Sequence, residues 1–195
     1  DTHRDLIQYN FDTLAQIPAL PGPKFIFAHI LVPHPPFVFD AIGNPIRPNY
    51  PFSFNDGSDF PSGNDAYLQV YTKQLEYTNQ QLKKLIDTIL RDSKTPPIIL
   101  LQADHGPGML TDFSSSENSC LKERFSVFAA YYLPDTSSED IPIDITPVNL
   151  FRIIFNKYFQ ADIPLLENAS YYYKDTVYIF RYEDVTTKLD TCEVK

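Results

Sequence analysis

Thr95-Pro96-Pro97-Ile98-Ile99-Leu100-Leu101-Gln102-Ala103-Asp104-His105-Gly106 joins a run of aliphatic residues to a polar turn. The run Pro96–Leu101 is too short for a helix and apolar throughout, which suits a strand buried on both faces. It delivers a carboxylate and an imidazole on consecutive residues. Neighbouring side chains on a pleated chain point to opposite faces, so Asp104 and His105 can serve one ligand only where the chain leaves the pleat. Gly106 permits such a turn. Carboxylate oxygen beside imidazole nitrogen suits zinc or manganese. Taken alone, the tripeptide reads equally well as an aspartate capping a loop beside a surface histidine.

The segments on either side place this strand in an alternating pattern. Upstream, residues 64–92 predict a long helix whose apolar face holds Leu68, Tyr71, Leu75, Thr78, Leu82, Leu85, Ile86 and Ile89, with Gln, Lys, Glu and Asn opposite. Before it, residues 40–63 read as a long irregular loop, a length that usually signals function. Lys24–Val32 is an unbroken β-type run stopped by Pro33, Pro35 and Pro36, and predicts another strand buried on both faces. Residues 3–16 read as a short amphipathic helix through Leu6, Ile7, Phe11 and Leu14, ended by Pro18. Downstream come a polar loop over 106–122 and a strand over Arg124–Leu133. A helix follows, opened by Thr146 and Pro147 and running to Tyr158. Tyr171–Lys174 and Thr176–Tyr182 predict an antiparallel pair around Lys174-Asp175. The expectation is an α/β fold of three-layer sandwich type, with a mainly parallel sheet flanked by helices and a small C-terminal antiparallel hairpin. Ligands of such sheets sit beyond the carboxyl ends of the strands.

Three of the four histidines fall at those strand ends: His29, His34 and His105. His3, in the first helix, reads as solvated. Sixteen basic against twenty-five acidic residues leave a net charge of −9, which repels nucleic acid and anionic membrane surfaces. The longest apolar runs fall well short of the roughly 20 residues of a membrane span, and no signal peptide is visible, so the chain reads as soluble. Cys120 and Cys192 fit no zinc spacing. They are either one bridge in an oxidising compartment or two separate thiols.

The long helix, the strand and the Asp104-His105-Gly106 turn together resemble the alkaline phosphatase and sulfatase superfamily. Ile143-Asp-Ile-Thr-Pro147 resembles the start of a later family helix, with Thr and Pro in swapped order. Phe27-Ala-His-Ile-Leu-Val-Pro-His-Pro-Pro-Phe37 resembles the family stretch that puts a histidine after a buried strand. The resemblance covers about residues 24–160 and extends to membrane-anchored transferases such as lipoteichoic acid synthases and phosphoethanolamine transferases. It implies a metal-dependent hydrolase or transferase of phosphate or sulfate esters, phosphoryl transfer being favoured. Asp104 and His105 would be metal ligands, and His34 a catalytic group at the transferred phosphoryl or leaving group, or a ligand of a second metal as in the two-metal members. His29 is a weaker substrate-binding candidate, with a buried strand histidine as the alternative. The ion would be zinc or manganese, with calcium and magnesium as alternatives. The family nucleophile and its upstream acidic ligand have no match here, and Glu117 and Glu123 are acidic substitutes at best. Residues 1–195 are therefore expected to form a single domain that is the C-terminal portion of a catalytic domain. Its N-terminal half would be a partner from the same polypeptide, and the chain alone would be inactive. The parent would be anchored on the extracytoplasmic face of a bacterial membrane through segments absent here. The competing reading is a non-catalytic binding or assembly domain that keeps the fold.

Overall fold

The computed structural model describes residues 2–47, 52–60, 63–173 and 180–192, with backbone only at Ser58. In chain order the elements are α1 (Thr2–Gln16), α2 (Gly63–Asp92), β1 (Ile99–Gln102), α3 (Leu121–Phe125), β2 (Ala129–Tyr132), α4 (Pro147–Phe159), β3 (Tyr171–Tyr173) and β4 (Tyr182–Asp184).

The helices form where periodicity and capping place them. α1 buries Ile7 and Phe11, one turn apart, against α2. With Val38, Phe39, Tyr77 and Leu85 they make the main core, joined at its margin by Leu14, Ala15, Ile30, Val32, Leu82 and Ile89. Thr146 caps α4 by accepting from the Asn149 amide, and Pro147 occupies its first position.

α2 differs from expectation in which stripe it buries. The buried line runs through Tyr67, Gln74, Tyr77, Thr78 and Leu85, while Leu68 is half exposed. Gln74, expected on the polar side, is fully buried. Its Oε1 accepts from the amides of Val38 (2.7 Å) and Phe39 (3.2 Å), and its Nε2 donates to the carbonyls of His34 (3.2 Å) and Pro33 (3.4 Å). One amide side chain thereby satisfies buried backbone of an irregular segment whose β pairing among the described residues is a single bridge, Phe39 with Pro45. That need for buried backbone partners overrides the helix's hydrophobic pattern.

The sheet is where expectation fails most. β1 pairs with β2, but antiparallel, Ile99 opposite Tyr132 and Gln102 opposite Ala129. Among the described residues no parallel pairing is recorded, so the mainly parallel sheet is not what these residues build. Lys24–Val32 joins no strand pairing among the described residues, its Val32 amide turning back to donate to the Ile30 carbonyl (2.8 Å), and Phe25 and Phe27 are 83% and 82% exposed. A β-type run specifies extended backbone; only neighbours turn it into a buried strand. The expected strand over Arg124–Leu133 is shortened to β2 because its first residues complete α3. The C-terminal antiparallel pair is present as β3 with β4, Tyr171 opposite Asp184. Its second arm is described only from Phe180 onward, and the rest of that expected arm and the turn at Lys174-Asp175 lie outside the described residues. A separate cluster of Leu121, Tyr172 and Val185 packs this pair against α3. Cys120 and Cys192 are disulfide-bonded, which settles the choice between bridge and free thiols.

Candidate active site

β1 carries the chain to the turn. Ala103 extends its pairing by donating to the Phe128 carbonyl (2.9 Å), and the Gly106 amide then donates to the Arg124 carbonyl (2.7 Å). The second bond ties the turn to α3. A side chain at Gly106 would collide with the Glu123 carbonyl oxygen, so glycine is required here by close backbone approach.

Asp104 and His105 leave this turn with Asp104 Oδ2 3.5 Å from His105 Nε2. Two donors bonded to one zinc at about 2.0–2.1 Å in tetrahedral geometry stand some 3.4 Å apart, so this pair fits two corners of such a site. His105 Nδ1 lies 2.8 Å from the Gly106 carbonyl oxygen. A carbonyl only accepts, so Nδ1 carries the proton and Nε2 of the neutral ring keeps its lone pair. His34 is arranged alike, with Nδ1 2.6 Å from the Pro35 carbonyl oxygen. The two imidazole rings face one another edge to face, with centroids 6.3 Å apart. Residues 71 positions apart in sequence thus converge, as the strand-end reading requires. Among the described residues no group of three or more His, Cys, Asp or Glu side chains is placed to hold an ion. The donor chemistry and spacing fit a divalent metal, but they supply half of a coordination shell.

The cluster also contains residues that the sequence did not single out. Asp56, 7% exposed, accepts from the Tyr67 hydroxyl at Oδ1 (2.8 Å). Its Oδ2 lies 3.5 Å from Arg124 Nη1 and 4.0 Å from His34 Nε2. Gly108 lies so close to this carboxylate that a Cβ there would stand 2.9 Å from Oδ1. Burial, reinforced by the neighbouring Asp56 charge, pushes the Tyr67 hydroxyl far above the usual tyrosine range, so it remains a hydrogen-bond donor. Arg124 lies over the Phe113 ring at 5.6 Å and also reaches the Gly106 carbonyl (3.4 Å). Glu123, an acidic substitute at best by sequence, is half-buried, and its Oε2 accepts from the Leu110 amide (3.0 Å). Burial raises its carboxyl above the ordinary glutamate range. Asp56 sits in an aperiodic loop and Arg124 at a helix end, so neither carries a sequence pattern that marks it.

The remaining histidines reverse their expected standing. His29 is exposed on the extended segment, which overturns the buried-strand alternative, and no contact joins it to the cluster among the described residues. His3 packs edge-on against Phe52 and Phe54 (centroids 6.0 and 5.6 Å). Burial, and after it the charge of His34, lowers its pKa. It borders the same cluster and is not merely solvated.

No curated protein and no solved structure matches the chain. The sulfatase family model matches residues 4–151, a span that contains His34, Asp56, Asp104, His105 and Arg124. With three quarters of its length covered by that match, the chain belongs to the sulfatase family.

Proposed function

We propose that the chain is the C-terminal part of the catalytic domain of a metal-dependent hydrolase or transferase that acts on phosphate or sulfate esters, phosphoryl transfer being favoured. The observation that carries this reading is the pairing of Asp104 with the Nε2 lone pair of His105, 3.5 Å apart, with His34 facing them. Asp104 and His105 would hold a divalent ion, zinc or manganese by donor type, with calcium or magnesium as alternatives. Such an ion lowers the pKa of a hydroxyl nucleophile and neutralises charge on the ester oxygens.

His34 holds Nδ1 against the Pro35 carbonyl oxygen and has Nε2 4.0 Å from Asp56 Oδ2. Protonated, it donates to an ester oxygen or to the departing group. Asp56 lies beside both His34 Nε2 and Arg124, and the Gln74 bond to the His34 carbonyl fixes the backbone that carries the imidazole. The nucleophile and the remaining ligands come from the N-terminal half of the same polypeptide, which completes a three-layer, mainly parallel sandwich. The acceptor is water or a substrate hydroxyl. The parent protein is anchored outside the cytoplasmic membrane by segments beyond this chain. The Cys120–Cys192 bridge supports an oxidising compartment, and no described helix is long and apolar enough to cross a membrane.

The alternative, a non-catalytic domain that binds through the same cleft, is favoured by the incomplete ligand set. The two readings separate in the full-length protein. The catalytic reading expects turnover of 4-nitrophenyl phosphate, bis-4-nitrophenyl phosphate or 4-nitrophenyl sulfate, with Asp104→Ala lowering kcat/KM at least about a hundredfold. Residues 1–195 alone should be inert. Full turnover by Asp104→Ala, or by the isolated chain, would overturn the assignment.

A further inference from the structure

The cluster is assembled from three separate stretches of chain. His34 stands on the segment 33–39, whose backbone Gln74 holds. Asp104 and His105 stand on the turn that ends at Gly106, and Asp56 lies in the loop before α2. Among the described residues no hydrogen bond joins His34 to Asp104 or His105. The two imidazoles meet edge to face, and such a ring contact fixes a distance less sharply than a hydrogen bond does.

Arg124 spans the gap. Its Nη1 lies 3.5 Å from Asp56 Oδ2 and 3.4 Å from the Gly106 carbonyl oxygen. The same carbonyl accepts from His105 Nδ1 (2.8 Å), and the same carboxylate oxygen is 4.0 Å from His34 Nε2. A line of polar contacts therefore runs from one imidazole to the other, and the guanidinium is its middle member. Nη1 carries two N–H bonds in a fixed plane, one for each acceptor, which the single point charge of a lysine cannot reproduce. Both contacts are at the long end for hydrogen bonds, so charge contributes more to them than bond geometry does.

Two observations show that the guanidinium is held and needed at this place. Asp56 is buried, and besides Arg124 the Tyr67 hydroxyl is the one hydrogen-bond partner of its side chain among the described residues. A carboxylate so withdrawn from water requires a cation beside it. The base of Arg124 is also anchored from several sides. Its own carbonyl accepts from the Gly106 amide (2.7 Å), and the Phe113 ring lies 5.6 Å from the guanidinium carbon. The disulfide at Cys120 and the bond from the Lys122 amide to the Thr191 carbonyl (3.0 Å) pin the rest of α3.

We propose that Arg124 is a positioning residue: by holding the Asp56 carboxylate and the Gly106 carbonyl on one nitrogen, it fixes the His105 imidazole for an ion and sets its separation from His34. This inference rests on the reading of Asp104 and His105 as ligands of a divalent metal. Zinc binding to the full product of the gene that encodes residues 1–195, followed by titration calorimetry, tests it. Arg124→Ala should weaken zinc affinity about ten- to a hundredfold, the usual consequence of removing an outer partner of a metal ligand. Methylguanidinium, which can occupy the space left by the side chain, should restore most of that loss. Arg124→Lys keeps the charge and most of the stem, and should still lose about tenfold. A folded Arg124→Ala protein whose loss methylguanidinium leaves unchanged overturns the proposal, because an arginine of purely structural role gives that result. Zinc affinity of Arg124→Lys close to wild type overturns it too, and this variant decides the matter if Arg124→Ala does not fold. Asp104→Ala separates the two levels of the argument. Zinc uptake that falls with Asp104→Ala but not with the Arg124 variants sinks this inference alone, whereas uptake indifferent to Asp104→Ala overturns the metal reading and this inference with it.

Discussion

Replacing Gln74 with leucine removes the single side chain that satisfies the backbone around His34 without opening a cavity. Leucine has nearly the same volume and prefers a helix at least as well, so neither packing nor propensity should dominate. What is lost is hydrogen bonding. The Val38 and Phe39 amides, in residues 2% and 0% exposed, lose bonds of 2.7 and 3.2 Å. Each unsatisfied buried donor costs about 1–3 kcal/mol, so the two together cost about 2–6 kcal/mol. The longer bonds to the His34 and Pro33 carbonyls add less, because those acceptors are only partly buried. At roughly 2–4 °C per kcal/mol for a chain of this size, the midpoint should fall by about 10 °C. Gln74→Glu separates the two sets of bonds: it keeps an acceptor for Val38 and Phe39 and loses both donors. Near neutral pH it also buries a carboxylate against the two carbonyl oxygens, so its midpoint should be no higher than that of Gln74→Leu and should recover as the pH is lowered and the carboxyl takes up a proton. Thermal unfolding followed by far-UV circular dichroism, with urea titration to check that the m-value is unchanged, measures all three. A Gln74→Leu midpoint within 2 °C of wild type would refute the reasoning, since it would mean that the segment 33–39 finds other partners.

Three other expectations follow from the bonds around α3. The Cys120–Cys192 bridge closes a loop of 72 residues, and chain-entropy arguments put its contribution at about 4 kcal/mol. Cys120→Ser with Cys192→Ser should thus lower the midpoint by roughly 10 °C, and dithiothreitol should then have no further effect. Gly106→Ala drives a Cβ into the Glu123 carbonyl and to 3.1 Å from the Arg124 carbonyl oxygen, prying the turn from α3. Calorimetry should show a loss of about 1–3 kcal/mol, together with weaker zinc or manganese uptake by the full-length protein. For Glu123 the sign follows from its raised carboxyl pKa: the folded state holds this proton more tightly than the unfolded state does. Its favourable contribution is present in acid and is lost as pH rises from the ordinary range near 4.5 through the raised value. The midpoint of wild type minus that of Glu123→Gln should accordingly decline across that interval, and a flat difference would contradict the burial.

The helices were legible because the forces that make them are local. α1 and α4 begin and end within a few residues of their predicted limits, and α2 matches to within one residue at its start. Periodicity, Thr146, Pro147 and the terminating prolines act over one or two turns of chain. The Asp104-His105-Gly106 turn was legible for the same reason, since its chemistry lies in adjacent residues. Its approach to His34 was expected from strand ends of a shared sheet; the rings do meet at 6.3 Å, but not by that route, since the segment before His34 pairs with no described strand.

The sheet and the rest of the cluster depend on partners far away in sequence. Unbroken apolar, β-type runs can mark Lys24–Val32 and Pro96–Leu101 as strand candidates, but strand direction and pairing are set by which backbone lies alongside. Here that is the antiparallel β2 for one and no described strand for the other. Gln74 could not be moved from the polar to the buried side of α2 by any pattern within the helix. The unpaired amides that draw it inward are 35 and 36 residues upstream. Asp56 and Arg124, 68 residues apart, acquire their relation only when the loop before α2 and the end of α3 meet beside Gly108 and Gly106. What the sequence alone determined was the local backbone and the identity of the donor atoms at the Asp104-His105 turn. Which buried polar groups satisfy one another, and which apolar faces are left uncovered, was decided by tertiary structure, because burial and hydrogen-bond satisfaction are properties of neighbours in space.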